Sequence, residues 1–396
     1  MFIGATRDTS GGVPTGVVYL YSKVNQNWSL DEKIFPTGTN TLALFGSAID
    51  LNADMLLIGA STDYGIEPSS GAAYLFKREG NSWVQKKKII GYDALQSYIF
   101  GYSVAISGNY LFIGAPQATD FGSNSGAVYL YKVKNDSVHF VKKLIGSTVS
   151  AEYVFGVKIS ADSNRVAISA EGSIFAQNYQ GSVYIYELEE NQWIEKNQIL
   201  PNDPSAYVFG SSIKLKGDSL LIGALGHIEV GDTGKGYLYI KDQTKWKQIN
   251  SFQASDGNNI NFFGGSGDME NDFIVFGATL QEVNGITIGA AYVYSKHPTG
   301  IDDLDPLELD DFILYQNYPN PFNPATTISY SIPREGLVTL KVYDLLGREI
   351  ASLVNEHQTA GNYSVEFSAQ DLPSGIYFYT LTSGSFVDTK KLILLK

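Results

Sequence analysis

FGYSVAISGNYLFIGAP, residues 100–116, is the stretch that decides the fold, because close variants of it recur along the chain. Phe-Gly pairs recur at spacings of 55, 55, 54 and 54 residues, beginning at Phe45, Phe100, Phe155, Phe209 and Phe263. Gly-Ala keeps the same period, at Gly4, Gly59, Gly114, Gly223 and Gly277, with Ser169-Ala170 in the fourth slot. A period of this size is typical of solenoids and propellers.

Each repeat contains four short strand-like segments, which we name A to D. In the second repeat they read FGSAIDL, MLLIGA, GAAYLFK and WVQKKKI, with turn residues between them. The third segment recurs six times, beginning at Gly16, Gly71, Gly126, Gly181, Gly236 and Gly289. Four such strands make one propeller blade. The sequence therefore predicts an all-β chain with a propeller of about six four-stranded blades, of which the first lacks strand A and the last lacks strand D.

The recurring aromatic and glycine residues have a structural explanation. A Phe at the start of strand A can wedge between adjacent blades, and the following Gly lets backbones approach where the blades converge. Strand B is apolar at almost every position, which is typical of a strand covered on both faces. Strand D carries lysines, which oppose strand addition at an exposed edge. Each blade is therefore predicted to run from a buried inner side to a charged rim.

The composition excludes several classes of partner. The 396 residues carry a net charge of -13 and include no cysteine. An acidic surface repels phosphate backbones and anionic lipids, and a chain without cysteine forms no disulfide. No apolar run reaches the roughly 18 residues that a transmembrane helix needs. We therefore expect a monomer that binds no nucleic acid and has no transmembrane segment.

The long connections between strands B and C carry the most divergent sequences. Alternating strand directions place these B–C loops on the same face as the loops that join strand D to the next strand A. A rigid scaffold with divergent loops is a common arrangement for a binding surface. The candidate ligand-binding residues on this face are Asp63, Tyr64, Asp93, Asp120, Phe121, Tyr179, Asp203 and His227.

These repeats resemble the FG-GAP family, the propellers known from integrin alpha chains, and the resemblance covers about residues 1–296. Many repeats of that family bind calcium through a D-x-D-x-D-G loop between strands A and B. The corresponding turns here are LNAD, SGN, SADSNR, KGD and MEND, which offer too few oxygen ligands for calcium. We therefore expect no cofactor and no metal site.

The repeat stops after Ser295, and the composition then changes. Residues 298–311 contain the acidic run IDDLDPLELDD, which reads as a solvated linker between a propeller over 1–297 and a second domain over 312–396. Alternating short segments in that second domain predict an immunoglobulin-like β-sandwich. The blocks YPNPFNP, VYDLLGREI, SGIYFY and KKLILLK resemble the type A sorting domain of the type IX secretion system. The resemblance implies that Lys390, Lys391 and Leu392 belong to the terminal sorting signal.

That resemblance implies export through the periplasm to the outer-membrane surface or the medium, with the type IX machinery as a partner. MFIGATRD shows no signal peptide, and the chain enters the repeat in mid-unit. We therefore expect that the sequence is truncated at its start and that an upstream region supplies the signal.

Two functions remain open from the sequence. The first is a binding or adhesion module for an extracellular glycan or protein, without enzymatic activity. The alternative is a secreted polysaccharide hydrolase or lyase, with carboxylates such as Asp63, Asp93, Asp120, Glu171 and Asp203 around the propeller funnel. No Ser-His-Asp arrangement, phosphate loop or H-E-x-x-H motif is visible. A spacer without a specific ligand is a third possibility.

Overall fold

Short antiparallel sheets repeat along the chain. The structure is a computed structural model that describes residues 1–10, 12–24, 27–135, 137–171, 180–203, 205–226, 234–254, 262–279, 282–283, 286–287, 289–296, 312–315, 317, 320, 322–359, 361–384 and 386–395. Strands account for its regular structure, and the described residues contain no helix. No described segment is therefore a helix that could span a membrane.

The first blade has three strands instead of four. The first five strands of the chain are β1 (Phe2–Ala5), β2 (Thr9–Ser10), β3 (Val13–Pro14), β4 (Val17–Val24) and β5 (Asn27–Ile34). The sheet order is β1-β4-β5, and β2 pairs with β3 in the B–C loop. These three strands correspond to B, C and D, so this blade lacks strand A, as predicted.

Four complete blades follow, each an antiparallel sheet in the order A, B, C, D. The second blade comprises β6 (Phe45–Asn52), β7 (Met55–Ala60), β8 (Ala72–Glu79) and β9 (Ser82–Ile89). The third comprises β10 (Val104–Ser107), β11 (Tyr110–Ala115), β12 (Ala127–Lys134) and β13 (Ser137–Leu144). The fourth comprises β14 (Phe155–Asp162), β15 (Arg165–Ala170), β16 (Ser182–Glu189) and β17 (Gln192–Ile199). The fifth comprises β18 (Phe209–Lys216), β19 (Ser219–Ala224), β20 (Lys235–Asp242) and β21 (Lys245–Phe252).

The sixth blade again has three strands in its sheet. Its strands are β22 (Phe263–Glu270), β23 (Phe273–Ala278), β24 (Glu282–Val283), β25 (Ile286–Thr287) and β26 (Ala290–Ser295). The sheet order is β22-β23-β26, which corresponds to A, B and C, and β24 pairs with β25 in the B–C loop. The described residues thus form the predicted all-β propeller, with four four-stranded and two three-stranded blades.

The Phe of each Phe-Gly pair lies between two blades. Phe155 is fully buried in a core that also contains Leu130 of the third blade and Ile168 of the fourth. Its ring meets the Tyr184 ring edge to face, with centroids 5.3 Å apart. Phe45 is buried in the same way with Val18 of the first blade. These residues therefore wedge between blades, as the sequence predicts.

Glycine is also required at the boundaries between adjacent blades, which we call seams. Gly101 follows Phe100 with a φ of +87°, in the left-handed region that favours glycine. A Cβ on Gly59, in strand B of the second blade, would overlap the carbonyl oxygen of Gly101 in the third. A Cβ on Gly71, at the start of strand C, would overlap the backbone of Phe100. Phe-Gly in one blade and Gly-Ala in the previous blade are therefore two sides of one close contact.

The first strands of the blades face a common axis. Burial raises the pKa of Asp50 in β6, whereas backbone hydrogen bonds and the Lys214 ammonium oppose that shift. Lys214 lies in β18, three blades further along the chain. Strands A of successive blades also contact one another, from β6 through β10, β14 and β18 to β22.

The second compact unit contains two sheets with one shared core. Its strands are β27 (Ile313–Leu314), β28 (Ala325–Ile332), β29 (Gly336–Tyr343), β30 (Glu349–Gln358), β31 (Gly361–Ser368), β32 (Gly375–Ser383) and β33 (Phe386–Leu394). One sheet has the order β27-β28-β31 and the other β30-β29-β32-β33. Ile328 and Tyr330 of the first sheet pack in one cluster with Leu340 and Tyr379 of the second. The immunoglobulin-like topology stays a prediction.

The chain divides into the units Met1–Tyr294 and Ser295–Lys396. The predicted linker, residues 298–311, lies outside the described residues.

Candidate functional site

The long B–C loops and the D–A loops are connected by hydrogen bonds. The backbone N–H of Asn40, in a D–A loop, donates to Asp63 in the B–C loop of the second blade at 3.1 Å. One blade further on, the hydroxyls of Tyr98 and Thr119 link the equivalent loops at 2.7 Å. We call residues 35–44, 61–71, 90–99 and 116–126 the loop face.

Asp63 lies inside the loop face and is fully buried. Its carboxylate forms an ion pair with the Lys88 ammonium at 2.9 Å and accepts a hydrogen bond from the Tyr74 hydroxyl. The backbone N–H of Tyr64 also donates to it, at 2.8 Å. The Asp63 carboxylate is therefore occupied within the loop, whereas the Tyr64 ring is 51% exposed.

Asp93 and Asp120 share one lysine. Lys143 Nζ lies 2.8 Å from a carboxylate oxygen of each, and the Tyr129 hydroxyl donates to Asp93 at 2.7 Å. Burial alone would raise the pKa of Asp93, but the bonds from Lys143 and Tyr129 outweigh it and lower that pKa. For Lys143, burial acts to lower the pKa, and the two carboxylates more than reverse this effect. This cluster is thus charged and internally paired.

Asp203 repeats the arrangement in the fifth blade. Its carboxylate accepts from Lys235 at 2.5 Å, from the Ser205 hydroxyl at 2.8 Å and from the Tyr237 hydroxyl at 3.1 Å. Burial would raise the pKa of Asp203, but Lys235 and Ser205 hold it well below its usual range.

Sequence reasoning missed these clusters. It explained the strand D lysines by edge protection, whereas Lys88 and Lys143, together with the strand C tyrosines, bind the loop carboxylates. A signal was present, because lysine recurs every 55 residues in strand D, at Lys33, Lys88 and Lys143.

Large apolar side chains project from the loop face beside these paired charges. The exposed fractions are 51% for Tyr64, 48% for Ile66, 58% for Tyr92, 55% for Leu95 and 59% for Phe121. Lys143 connects two of these loops, because it lies over the Tyr92 ring and also binds Asp120, the neighbour of Phe121. Exposed apolar side chains on the loops of a propeller are typical of an interaction surface.

Outside these clusters, the carboxyl group of Glu171 has a raised pKa. It follows strand β15 at the start of a B–C loop, and burial raises its pKa to about 7, against the opposing effect of Lys158. Glu171 in turn contributes to the raised pKa of Tyr102, for which burial is the larger cause.

Two of the predicted ligand-binding residues remain to be placed. Tyr179 and His227 lie outside the described residues. Within the part of the chain that the structure describes, no group of three His, Asp or Glu side chains is arranged to hold a metal ion.

The terminal sorting residues lie on strand β33, at the edge of the four-stranded sheet. Leu392 is buried in the core, and Lys390 lies 3.6 Å from Asp388. Asn320 covers the backbone of this edge strand, since its amide group donates to the Lys391 carbonyl at 3.1 Å and accepts from the Ile393 N–H at 2.9 Å.

Phe322 covers the same edge through its backbone. Its N–H donates to the Ile393 carbonyl at 2.9 Å, and its carbonyl accepts from Leu395 at 3.0 Å. Asn320 and Phe322 of the YPNPFNP block are therefore bound along the terminal strand.

The repeat and the terminal domain both match known families. The FG-GAP repeat matches residues 28–76, 83–131 and 246–294, and the secretion system C-terminal sorting domain matches residues 316–395. The chain therefore contains FG-GAP repeats and a C-terminal sorting domain. A sorting domain of this kind indicates secreted cargo.

Solved structures give distant likenesses. PorZ, a bacterial surface component of the type-IX secretion system of Porphyromonas gingivalis, shares 11% identity at a TM-score of 0.44, over 96% of this chain and 56% of PorZ. This chain thus spans little more than half the length of PorZ. An arabinoxylan arabinofuranohydrolase of glycoside hydrolase family 43 from Bacillus subtilis shares 9% identity at 0.32, over 88% of this chain and 95% of that chain. Neither likeness indicates a function, and no curated protein sequence matches the chain.

Proposed function

We propose that this FG-GAP protein is an exported, non-enzymatic adhesion module that binds an extracellular glycan or protein through its loop face. One observation carries the proposal, namely the exposure of Tyr64, Tyr92 and Phe121 on loops that ion pairs hold in place. Aromatic side chains supply large contact areas at low entropic cost, whether they stack on a sugar ring or pack on a protein. Braced loops lose little further freedom on binding.

The paired carboxylates support binding over hydrolysis. Glycoside hydrolysis requires two carboxyl groups, of which one acts as an acid and the other as a base or nucleophile. Asp63, Asp93, Asp120 and Asp203 are engaged by lysines. We propose that these four residues shape the loops and that the neighbouring rings contact the ligand.

The binding proposal is tested with the full chain on glycan and protein arrays. We expect the Tyr64→Ser/Phe121→Ser variant to lose at least about tenfold in affinity for a ligand so identified, or about 1.4 kcal/mol. Val84→Ser/Ile194→Ser is the matched control, since these residues are 37% and 39% exposed on strand D. Equal binding by both variants would contradict the proposal.

The sorting domain supplies the route. We propose that the type IX machinery recognises residues 312–396 and delivers the propeller to the outer-membrane surface or the medium. A chain that lacks residues 312–396 is expected to stay in the periplasm. Secretion of the shortened chain at the level of the full chain would overturn this part.

Polysaccharide cleavage remains a second candidate function because of Glu171. A carboxyl group with a pKa near 7 is suited to act as a general acid at neutral pH. Reducing-end release from arrayed polysaccharides that is abolished in Glu171→Gln would favour the enzyme. Release by both chains, or by neither, would remove Glu171 as a catalytic candidate.

A further inference from the structure

The chain departs from its repeat at two positions beside the third blade, and both carry an aromatic ring. Tyr92 is the third residue after strand β9, and the equivalent residues after β5, β13 and β17 are Thr37, Ser147 and Asn202. Phe140 lies opposite Tyr131, whereas the residues at that place in the first, second, fourth and fifth blades are Leu30, Gln85, Glu195 and Gln248. The fold of a blade therefore requires no aromatic ring at either position.

The two rings form an exposed pair. Their centroids lie 4.7 Å apart at an interplanar angle of 62°, and Tyr92 and Phe140 are 58% and 41% exposed. Phe140 also meets Tyr131 edge to face, and Tyr92 meets Tyr129, with centroids 5.6 and 6.2 Å apart. The Lys143 ammonium lies 5.9 Å from the centre of the Tyr92 ring. The Tyr92 ring is thus held by three side chains, although folding gains little from apolar surface that stays in water.

Hydrogen-bonding groups lie beside this pair. Asp93 follows Tyr92 in the chain, and Lys143 Nζ lies 2.8 Å from both Asp93 and Asp120. The two aspartate side chains are 38% and 27% exposed. A carboxylate has about four lone-pair sites, so each can accept further hydrogen bonds from a ligand. Two carboxylates and one ammonium also leave the cluster with a net negative charge.

We propose that Tyr92, Phe140, Asp93 and Asp120 form a subsite for a neutral sugar ring. The C–H face of the sugar packs on the Tyr92 ring, whose π-face carries partial negative charge. The sugar hydroxyl groups donate to the two carboxylates. This inference rests on the proposed adhesion function and narrows its ligand from a glycan or a protein to a neutral glycan.

The charges of the cluster select against two other ligands. An acidic sugar would meet the net negative charge of the cluster and the -13 of the whole chain. A basic side chain of a protein would compete with Lys143, which lies over both Tyr92 and Tyr129 and pairs with both carboxylates. A neutral hydroxyl group binds without displacing that lysine.

The repeat itself supplies the variants for the test. Tyr92→Ser introduces the residue type of position 147, and Phe140→Gln that of positions 85 and 248, so the fold should tolerate both changes and keep its thermal midpoint. Tyr92→Phe keeps the ring. Ile194→Gln is the matched control for Phe140→Gln, because Ile194 is 39% exposed on strand D of the fourth blade.

The full chain and its variants are titrated with cellohexaose, xylohexaose, mannohexaose and laminarihexaose, with binding followed by nuclear magnetic resonance of the sugar. We expect at least one hexasaccharide to bind with a Kd of roughly 10 μM to 1 mM. Tyr92→Ser and Phe140→Gln should each weaken that binding at least about tenfold, whereas Tyr92→Phe should weaken it less than about threefold. Ile194→Gln should bind as the wild type does.

Three results would overturn the subsite: no binding of any of the four hexasaccharides, unchanged binding by Tyr92→Ser, or an equal loss in Ile194→Gln. The subsite and the adhesion function can fail separately. An arrayed protein that binds through Tyr64 and Phe121, with no hexasaccharide bound, would leave adhesion standing and remove the sugar subsite. Sugar binding that Tyr92→Ser abolishes and Tyr64→Ser/Phe121→Ser leaves unchanged would support the subsite and contradict the wider loop-face proposal.

Discussion

Gly59 in the second blade lies directly against the carbonyl oxygen of Gly101 in the third, at a distance that leaves no room for a Cβ on Gly59. The same relationship joins Gly114 to Gly156 and Gly223 to Gly264. The recurrence of Phe-Gly and Gly-Ala in one period thus reflects a backbone contact between neighbouring blades.

The first prediction concerns this contact. Gly59→Ala should lower the free energy of unfolding by about 1 to 3 kcal/mol, since the added methyl group meets backbone that cannot rotate away. Gly80→Asn is the control, because Gly80 has a φ of +62° and no neighbour within 4 Å, and asparagine tolerates that conformation. Denaturant titration measures both, and equal losses would contradict the contact.

The second prediction concerns the wedge at a seam. Phe155→Ala should cost about 3 to 5 kcal/mol, because it leaves a cavity between two blades. Phe121→Ala, at a position 59% exposed, should change the free energy of unfolding by less than about 0.5 kcal/mol. A loss below about 1 kcal/mol for Phe155→Ala would rule out its place as a wedge.

The third prediction concerns pH. The folded-state pKa of Asp203 is lowered, so its stabilisation is present above the unfolded pKa of about 3.9 and is lost as the pH falls towards the folded value. Asp203→Asn should therefore destabilise the protein by about 1 kcal/mol at pH 7, and the difference from wild type should shrink below pH 4. Urea titrations at pH 7 and pH 3 measure the free energy of unfolding of both chains.

Glu190→Gln is the matched control for that experiment, since Glu190 is an exposed turn residue of the preceding blade. A difference for Asp203→Asn that is the same at both pH values would show that the ion pair with Lys235 is not its source.

The fourth prediction concerns the terminal strand. Asn320→Ala removes two hydrogen bonds from the edge of β33, so amide exchange at Ile393 should accelerate at least about tenfold, or about 1.4 kcal/mol of local stability. Asn355→Ala on the exposed face of β30 is the control. We also expect less of the Asn320→Ala chain in the medium, because an uncovered edge strand pairs with other chains.

The blades could be predicted in detail from the sequence, whereas the chemistry of the loop face could not. Strand order and the wedge role of Phe155 follow from a period that repeats local patterns. The ion pair between Asp93 and Lys143 joins residues 50 positions apart. The direction in which a loop carboxylate points produces no repeating pattern in the sequence.

The sequence by itself determined the blades, the seam glycines and the sorting domain, because each depends on residue types at fixed spacings. Only the tertiary structure decided that Asp63, Asp93 and Asp203 are held by lysines and tyrosines, and that Asn320 covers the terminal strand. These features depend on distances between side chains or blades that the chain brings together only when the sheets have packed.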